Sequence, residues 1–300
     1  MKRLSYLMVS LVVALGLALP LVGCSSNEYT PEAKDQTVSD SALNTAGTLR
    51  VGVNASNAPY AAESSGSIVG IDVDIAAALA DEMGLKLELV DVGTSASTAF
   101  EKENVDIIMG VDEANSVYWM SDSYMMSGVA LFAASESETA PTASGSFTVA
   151  AQSASMSAWE VSEHYGDACL ENQTDLQSAF SALQTGSVNY VAADSTIGEY
   201  VTHSSAIEAY PIALLQDPVS YSVAVDSTNT ALQEAVAEAL SSLDTGGVIS
   251  VIEKKWLGDQ VSVVSLSVIA ATETSDSDSD GSDENDSGDA TDSTSDTEEG

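Results

Sequence analysis

Between residues 46 and 260, short apolar runs alternate with helical stretches, and this alternation constrains the fold more than any other feature. Strands are predicted where the apolar runs lie between turn signals, at 49–53, 85–92, 105–109, 147–150, 188–193 and 221–225. Helices are predicted from Asp72 to a stop at Gly84, after a capping box at Ser157 and Glu160, over 176–184, and twice before Gly258. Because strands that alternate with helices form mostly parallel sheets covered on both faces, two such series predict a two-lobed α/β protein.

The charge balance excludes several classes of partner. The 300 residues include 46 Asp and Glu against 8 Lys and Arg, a formal charge of −38. A protein that neutralises phosphates needs clustered cations, so nucleic acid is excluded and docking on anionic lipid by charge is disfavoured. With two cysteines and two histidines, the chain has no disulfide framework or His-rich metal site, and we expect no cofactor and no metal.

The N-terminus has the pattern of an export signal. Residues 1–23 combine a basic start at Lys2 and Arg3 with an apolar run, and the segment LVGC that ends at Cys24 resembles a bacterial lipobox. We therefore expect an extracytoplasmic protein that is anchored to the bacterial cell membrane by lipid on Cys24, the alternative being an ordinary secretory signal. Residues 24–45 lack apolar periodicity and predict a flexible tether.

Two further segments follow the last predicted helix. Residues 261–270 are apolar and alternating but too short to span a bilayer, so they predict an extra strand at a sheet edge. Residues 271–300 contain 12 Asp and Glu and no Lys or Arg. Such a segment cannot bury apolar area, and it predicts a disordered acidic tail.

Sequence blocks spread over 46–258 resemble a known family. The runs LRVGVNASNAPYAA, VGIDVDIAAALADEMGLKLELV, VDIIMGV and SDSY resemble the first lobe of the bacterial extracellular solute-binding proteins that serve amino-acid ABC importers. The runs FTVAAQSAS, FSALQTGSVNYVAADS, YSVAVDS and GGVISVIEKKWLG resemble the second lobe and the return to the first.

This resemblance implies a periplasmic-binding-protein-like fold with a mostly parallel sheet in each lobe and a two-strand hinge. Lobe 1 is expected over 46–133 and 217–260, and lobe 2 over 134–216. Closure over a small polar ligand, an amino acid or a relative, would shift the population of open and closed forms. The loaded protein, expected to be a monomer, would then dock on an ABC permease without making or breaking a bond.

The resemblance also implies roles for particular residues. Tyr60 matches the aromatic residue that stacks on the ligand, and Asp194 matches the acceptor of its α-ammonium group. Ser153 and Ser155 match the segment whose hydroxyl and N–H groups receive a carboxylate. Asp72 and Asp74 are expected to favour the helix N-terminus rather than to touch ligand.

One departure from the family leaves the ligand class open. Residues 103–253 contain no Lys or Arg, so the arginine that grips the ligand carboxylate in the family is missing. Backbone N–H and hydroxyl groups could hold the carboxylate of an amino acid instead. Alternatively, a cation could bind an acidic and aromatic cleft formed by Asp112, Glu113 and Asp194 with Tyr60, Tyr118, Trp119 or Trp159.

An enzyme and a surface sensor or interaction protein are the two alternatives to solute binding. Some proteins of this fold are dehydratases or lyases, but these need a positioned acid–base pair and a cation for a departing carboxylate, so no enzyme is expected. A surface sensor or interaction lipoprotein without a transport role also stays open, because the missing arginine and the acidic tail favour it and the fold alone does not decide function.

Overall fold

The computed structural model describes residues 34–94, 96–112, 117–142, 145–259 and 261–270. The signal, Cys24, Glu113 and the acidic tail therefore lie outside the described residues. The described residues separate into two compact units: those of unit 1 lie within 34–126 and 219–259, and those of unit 2 lie within 127–218 and 261–270.

The secondary structure within these ranges is mixed α/β. The strands, numbered in chain order, are β1 (Thr48–Val53), β2 (Ser56–Asn57), β3 (Ala61–Ser64), β4 (Ser67–Val69), β5 (Lys86–Asp91), β6 (Ile107–Asp112), β7 (Trp119–Met120), β8 (Met125–Ser127), β9 (Val129–Ala133), β10 (Val149–Gln152), β11 (Leu170–Gln173), β12 (Tyr190–Asp194), β13 (Tyr210–Leu214) and β14 (Val219–Val225). The α-helices are α1 (Ile71–Glu82), α2 (Ala96–Lys102), α3 (Met156–Tyr165), α4 (Leu176–Gln184), α5 (Ser195–Ser205), α6 (Thr230–Thr245) and α7 (Val248–Leu257).

The main sheet of unit 1 has the order β5-β1-β6-β14-β7, and β8 also pairs with β14. Strand β1 is parallel to β5 and β6, whereas β14 returns antiparallel to β6. Helix α1 covers this sheet with a stripe of fully buried side chains that includes Ile75 and Leu79. The helix stops before Gly84, which has φ +67° and lies so near the carbonyl of Asp35 that a Cβ would be 2.6 Å from its oxygen.

Residues 34–45, assigned by the sequence to a flexible tether, are packed on unit 1. Val38 is 5% exposed, and the N–H of Thr37 donates to the carbonyl of Met83 at 3.1 Å. Asn44 donates from its backbone N–H and its side-chain amide to Asp106 Oδ1, at 2.8 and 2.9 Å. This segment is ordered because it satisfies a buried carboxylate that lies 62 residues away, a contact that local composition does not encode.

The sheet of unit 2 has the order β11-β10-β12-β9-β13, with β10 parallel to its two neighbours and β9 antiparallel to both of its own. Its core includes an edge-to-face pair of Phe132 and Phe180, with ring centroids 5.2 Å apart. The sequence assigned residues 127–133 to lobe 1, but β9 pairs with β12 and β13, so the chain enters unit 2 at Ser127.

Helix α3 is capped two residues earlier than the predicted capping box. The hydroxyl of Ser155 accepts from the N–H of Ala158 at 3.1 Å, so Ser155, and not Ser157, is the N-cap. Glu160 lies instead on the buried side of the helix, with one carboxylate oxygen 3.5 Å from Nδ1 of His164.

The C-terminal described segment crosses unit 2. Over the predicted extra strand, the structure has a 3-10 turn at Val263–Ser265 and a single parallel bridge from Val268 to Leu214 of β13. Leu214 donates to the carbonyl of Ser267 at 3.0 Å and accepts from the N–H of Ile269 at 2.8 Å. Nε2 of His164 lies 3.0 Å from the carbonyl oxygen of Ile269, which attaches the segment to α3 as well.

Within the described residues, no single helix is long and apolar enough to cross a membrane. Helices α6 and α7 reach that length and composition only when taken together, and they are bent by 68° relative to each other.

Candidate functional site

Unit 1 contains a recess of about 280 Å³ at the carboxyl ends of its parallel strands. Open α/β sheets bind ligands at this edge because the loops that follow the strands converge there. Asn54 follows β1, Thr94 follows β5 and Asp112 ends β6, so three neighbouring strands each bring one polar side chain to the recess. Its other polar lining residues are Asn57, Tyr60, Asp72 and Tyr221.

Asp72 is the buried acid of this recess. It is the second residue of α1, it is 4% exposed, and its Oδ1 accepts a hydrogen bond of 2.7 Å from the hydroxyl of Tyr124. Burial raises the pKa of the Asp72 carboxyl to about 6, although the hydrogen bond from Tyr124 works against this. Burial also raises the pKa of Tyr124 well above its usual value, so this phenol keeps its proton and acts as the donor.

A glycine lets the neighbouring strand approach this carboxylate. Gly110 of β6 has φ +70°, and a Cβ at this position would lie 3.0 Å from Oδ2 of Asp72. A larger residue would therefore be strained and would also press on the acid. The sequence of β6 is thus adapted to leave room around Oδ2.

Two tyrosines form the aromatic part of the recess. The rings of Tyr60 and Tyr221 have centroids 5.2 Å apart with an angle of 54° between their planes. Tyr60 is only 4% exposed, so it offers the recess little of its surface. Trp119, which was also predicted to bind ligand, lies in β7 and does not line the recess.

Asp194 occupies the corresponding position in unit 2, at the end of a parallel strand. It ends β12 and caps α5, and its Oδ1 accepts from the N–H of Ile197 at 2.9 Å. Its Oδ2 accepts from the hydroxyl of Ser127 at 2.8 Å. Burial raises the pKa of Asp194, while the hydrogen bonds from Ile197, Ser127 and Thr196 oppose the rise.

Ser127 is the residue of this cluster that the sequence reasoning missed. It is fully buried, and its hydroxyl also lies 3.0 Å from Oγ of Ser195 and accepts a longer bond of 3.3 Å from the N–H of Thr196. Since Ser127 lies 67 residues before Asp194, no local pattern marks the contact.

Ser153 and Ser155 both use their hydroxyl groups on the backbone. Ser153 donates to the carbonyl of Gln173 at 3.0 Å, and Ser155 donates to the carbonyl of Gln152 at 2.6 Å while it caps α3. These hydroxyls shape the loop before α3. The first N–H groups of a helix have no partner within it, so they are the donors of this segment that suit a carboxylate.

Among the residues that the structure describes, no lysine or arginine lines the recess of unit 1. Arg50 is directed elsewhere, since its guanidinium pairs with Glu88 and donates to the carbonyl of Asn104. Lys254 and Lys255 at the end of α7 pair with Asp259 and Asp74. Across the described ranges, no group of three or more His, Cys, Asp or Glu could hold a metal ion.

This chain belongs to the bacterial extracellular solute-binding proteins, family 3, whose members match it over residues 49–259. The resemblance stated from the sequence is thus confirmed. A search of curated proteins gives no match.

Solved structures confirm the two-lobed periplasmic-binding-protein-like fold class. A polar amino acid ABC uptake transporter substrate binding protein from Streptococcus thermophilus has a TM-score of 0.63 and 20% identity, over 72% of this chain and 88% of that one. The L-cystine solute receptor of Neisseria gonorrhoeae has a TM-score of 0.60 and 18% identity, over 72% and 95%. An ancestral cationic amino acid solute binding protein has a TM-score of 0.59 and 23% identity, over 70% and 96%. At these identities the likeness shows the fold alone.

Proposed function

We propose that this protein is an extracytoplasmic receptor that captures a small amine-bearing solute, an amino acid or a close relative, and delivers it to an ABC permease. Membership of a solute-binding family supports the capture of a small molecule. The observation that carries the choice of an amine is the partly buried carboxylate of Asp194, held at the end of β12.

The surroundings of Asp194 suit an ammonium group. A carboxylate has about four acceptor positions, and the bonds from Ser127 and Ile197 use one on each oxygen. These donors fix the orientation of the carboxylate and leave acceptor positions for a ligand. A partly desolvated carboxylate gains more from a cation than an exposed one does, because the surrounding dielectric is lower.

A second candidate is a receptor for a cationic amine without a carboxylate, such as a diamine. The lining of the unit 1 recess favours it, since Asp72 and Asp112 are its charged members and both are acids. The two candidates differ in whether the carboxylate of the ligand contributes to affinity.

Lipid attachment at Cys24 and a monomeric state complete the proposal. The lipobox-like segment before Cys24 supports the anchor. Metabolic labelling with a palmitate analogue should label the membrane fraction of the wild-type chain and not that of Cys24→Ala. Labelling that survives this substitution would place the anchor elsewhere.

Thermal unfolding against a ligand panel tests the proposed function. The panel contains amino acids, their N-acetyl and amide derivatives, polyamines, quaternary amines and short peptides. A ligand that binds only the folded protein at a hundredfold excess over Kd adds about 2.7 kcal/mol to stability, so binding raises Tm. We expect a rise with at least one primary amine and none with its N-acetyl form.

Two variants complete this experiment. Asp194→Asn should abolish the rise in Tm, and Asp167→Asn, an exposed carboxylate of the same unit, should leave it unchanged. A rise with the amide derivative equal to that with the free amino acid would favour the cationic-amine candidate. No rise with any member of the panel would reject solute capture and favour a sensor or interaction lipoprotein.

A further inference from the structure

Asp72 lies at the start of helix α1 but does not cap it. An aspartate at the N-cap of a helix accepts a first-turn N–H, as Asp175 and Asp194 do at α4 and α5. Asp72 is instead the second residue of α1, whose N-cap is Gly70, and among the described residues its carboxylate accepts no first-turn N–H. Capping therefore does not explain why a carboxylate is buried there.

The hydrogen bonding of Asp72 is also incomplete. In the part of the chain that the structure describes, the carboxylate accepts one hydrogen bond, from Tyr124 to Oδ1. Oδ2 receives none, although Gly110 leaves space beside it and Asp72 lines the recess. A buried anion with one donor is costly, so an acceptor of this kind is suited to a partner that arrives with the ligand.

We propose that the recess of unit 1 is a subsite for a cationic group, an alkylammonium or a guanidinium, with Asp72 as its buried counter-charge. The inference rests on the proposed function in so far as the solute is an amine. Asp112 at the end of β6 adds a second acid, and within the described ranges no lysine or arginine lines the recess to compete. The aromatic rings of Tyr60 and Tyr221 line the same recess and bring no positive charge to it.

Binding of a cation at this subsite should be coupled to release of a proton from Asp72, whereas binding of a neutral ligand should not. Since burial raises the pKa of Asp72 to about 6, part of the free protein carries a proton there at pH 6. A cation needs the ionised form, so its binding releases that proton and strengthens as the pH rises from 5 to 7.5. The groups that face Asp72 are the hydroxyl of Tyr124, which stays protonated through this range, and Asp112 and the two tyrosines of the recess.

Matched ligand pairs test the subsite by calorimetry. Arginine and citrulline have nearly the same shape and differ in the charge of the terminal group, and 1,4-diaminobutane and butylamine differ by one ammonium group. At pH 7.5 we expect the wild-type chain to prefer the more cationic member of a pair by at least about tenfold. At pH 5 the preference should fall by several-fold.

Two variants isolate the carboxylate. Asp72→Asn keeps an acceptor for Tyr124 and should reduce the preference to about twofold or less, whereas Asp81→Asn, on an exposed side chain of the same helix, should retain it. Titrations at pH 6 in two buffers of different ionisation heat should show release of a fraction of a proton by the wild-type chain and none by Asp72→Asn. Circular dichroism should show that both variants are folded.

Each outcome decides between the two proposals. Equal affinity for the members of both pairs, or an unchanged preference in folded Asp72→Asn, would overturn the subsite and leave the proposed function standing. Binding of neutral amino acids alone would do the same. Failure of every ligand to bind the wild-type chain would overturn both.

Discussion

Asp72 in unit 1 is a buried carboxylate and Asp194 in unit 2 is a partly buried one; both lie next to helix starts, yet their environments differ. Asp194 accepts from a serine hydroxyl and from the first turn of α5. Asp72 accepts only from the phenol of Tyr124 among the described residues, and the first turn of α1 gives it nothing. Burial raises the pKa of both groups, but only Asp194 has several donors that favour the ionised form.

The number of hydrogen-bond donors around a carboxylate therefore affects its charge state and how firmly its orientation is fixed. An anion with several donors stays charged and keeps a fixed orientation, which suits a permanent ligand contact. An anion with one donor, such as Asp72 with a pKa of about 6, carries a proton part of the time near pH 6 and responds to whatever cation or proton reaches it. We therefore expect Asp194 to determine affinity and Asp72 to determine selectivity and pH dependence.

The largest expected effect is on affinity and comes from unit 2. Asp194→Asn should weaken binding of the amine that the panel identifies by about 4 kcal/mol, or roughly 1,000-fold, because a buried ion pair loses one partner. Calorimetry on the wild-type chain, Asp194→Asn and Asp167→Asn measures this. A loss under about fivefold would show that Asp194 does not contact the amine.

The second effect is on stability and comes from unit 1. The folded pKa of Asp72 is raised, so its contribution to stability is complete below pH 3.8 and is lost as the pH rises through about 6. The shift corresponds to about 3 kcal/mol. Asp72→Asn, which keeps the acceptor for Tyr124, should therefore be more stable than wild type by up to that amount at pH 8.

Urea unfolding at pH values from 4 to 8 measures the stability of both proteins. The two free energies of unfolding should converge near pH 4 and separate with rising pH. Parallel curves over this range would contradict a raised pKa for Asp72.

A third, smaller effect should be confined to unit 2. A chain that ends at residue 260 loses the two hydrogen bonds to Leu214 and the one to His164, and we expect unit 2 to lose about 2 kcal/mol. Hydrogen exchange should show reduced protection in α3 and unchanged protection in α1. The matched control is a chain that ends at residue 270, which should behave as the full chain does; equal protection in both truncations would remove this role of the segment.

The smallest expected effect concerns the orientation of Asp194. Ser127→Ala removes one charge-assisted donor and should weaken amine binding by about tenfold. In the Asp194→Asn background the same change should cost much less, because the two side chains act through each other. An equal cost in both backgrounds would mean that Ser127 acts independently of Asp194.

Much of the fold could be predicted because it depends on local periodicity. Leu49, Val51 and Val53 alternate with less buried residues at the start of β1, and all three have no exposed surface. Helix α4 has the predicted bounds. The ordered segment 34–45 and the position of β9 could not be predicted, because each depends on pairing with residues far away in the chain.

The candidate site was predictable only in part, for the same reason. Asp194 could be selected because it ends a strand, and its role as ammonium acceptor stays a prediction. Asp72 was interpreted as a helix-dipole residue because its sequence position shows neither its burial nor the absence of a first-turn partner. No sequence pattern marks Ser127, because its contact with Asp194 forms only when two distant parts of the chain meet in the fold.

The most direct test of the central claim is an experimental structure of the protein loaded with the amine that gives the largest rise in Tm. We predict that the ammonium nitrogen lies within hydrogen-bond distance of the Asp194 carboxylate, which also keeps its bonds from Ser127 and Ile197. A bound amine whose nitrogen contacts other residues, with Asp194 bonded only to Ser127, Ile197 and Thr196, would contradict the account.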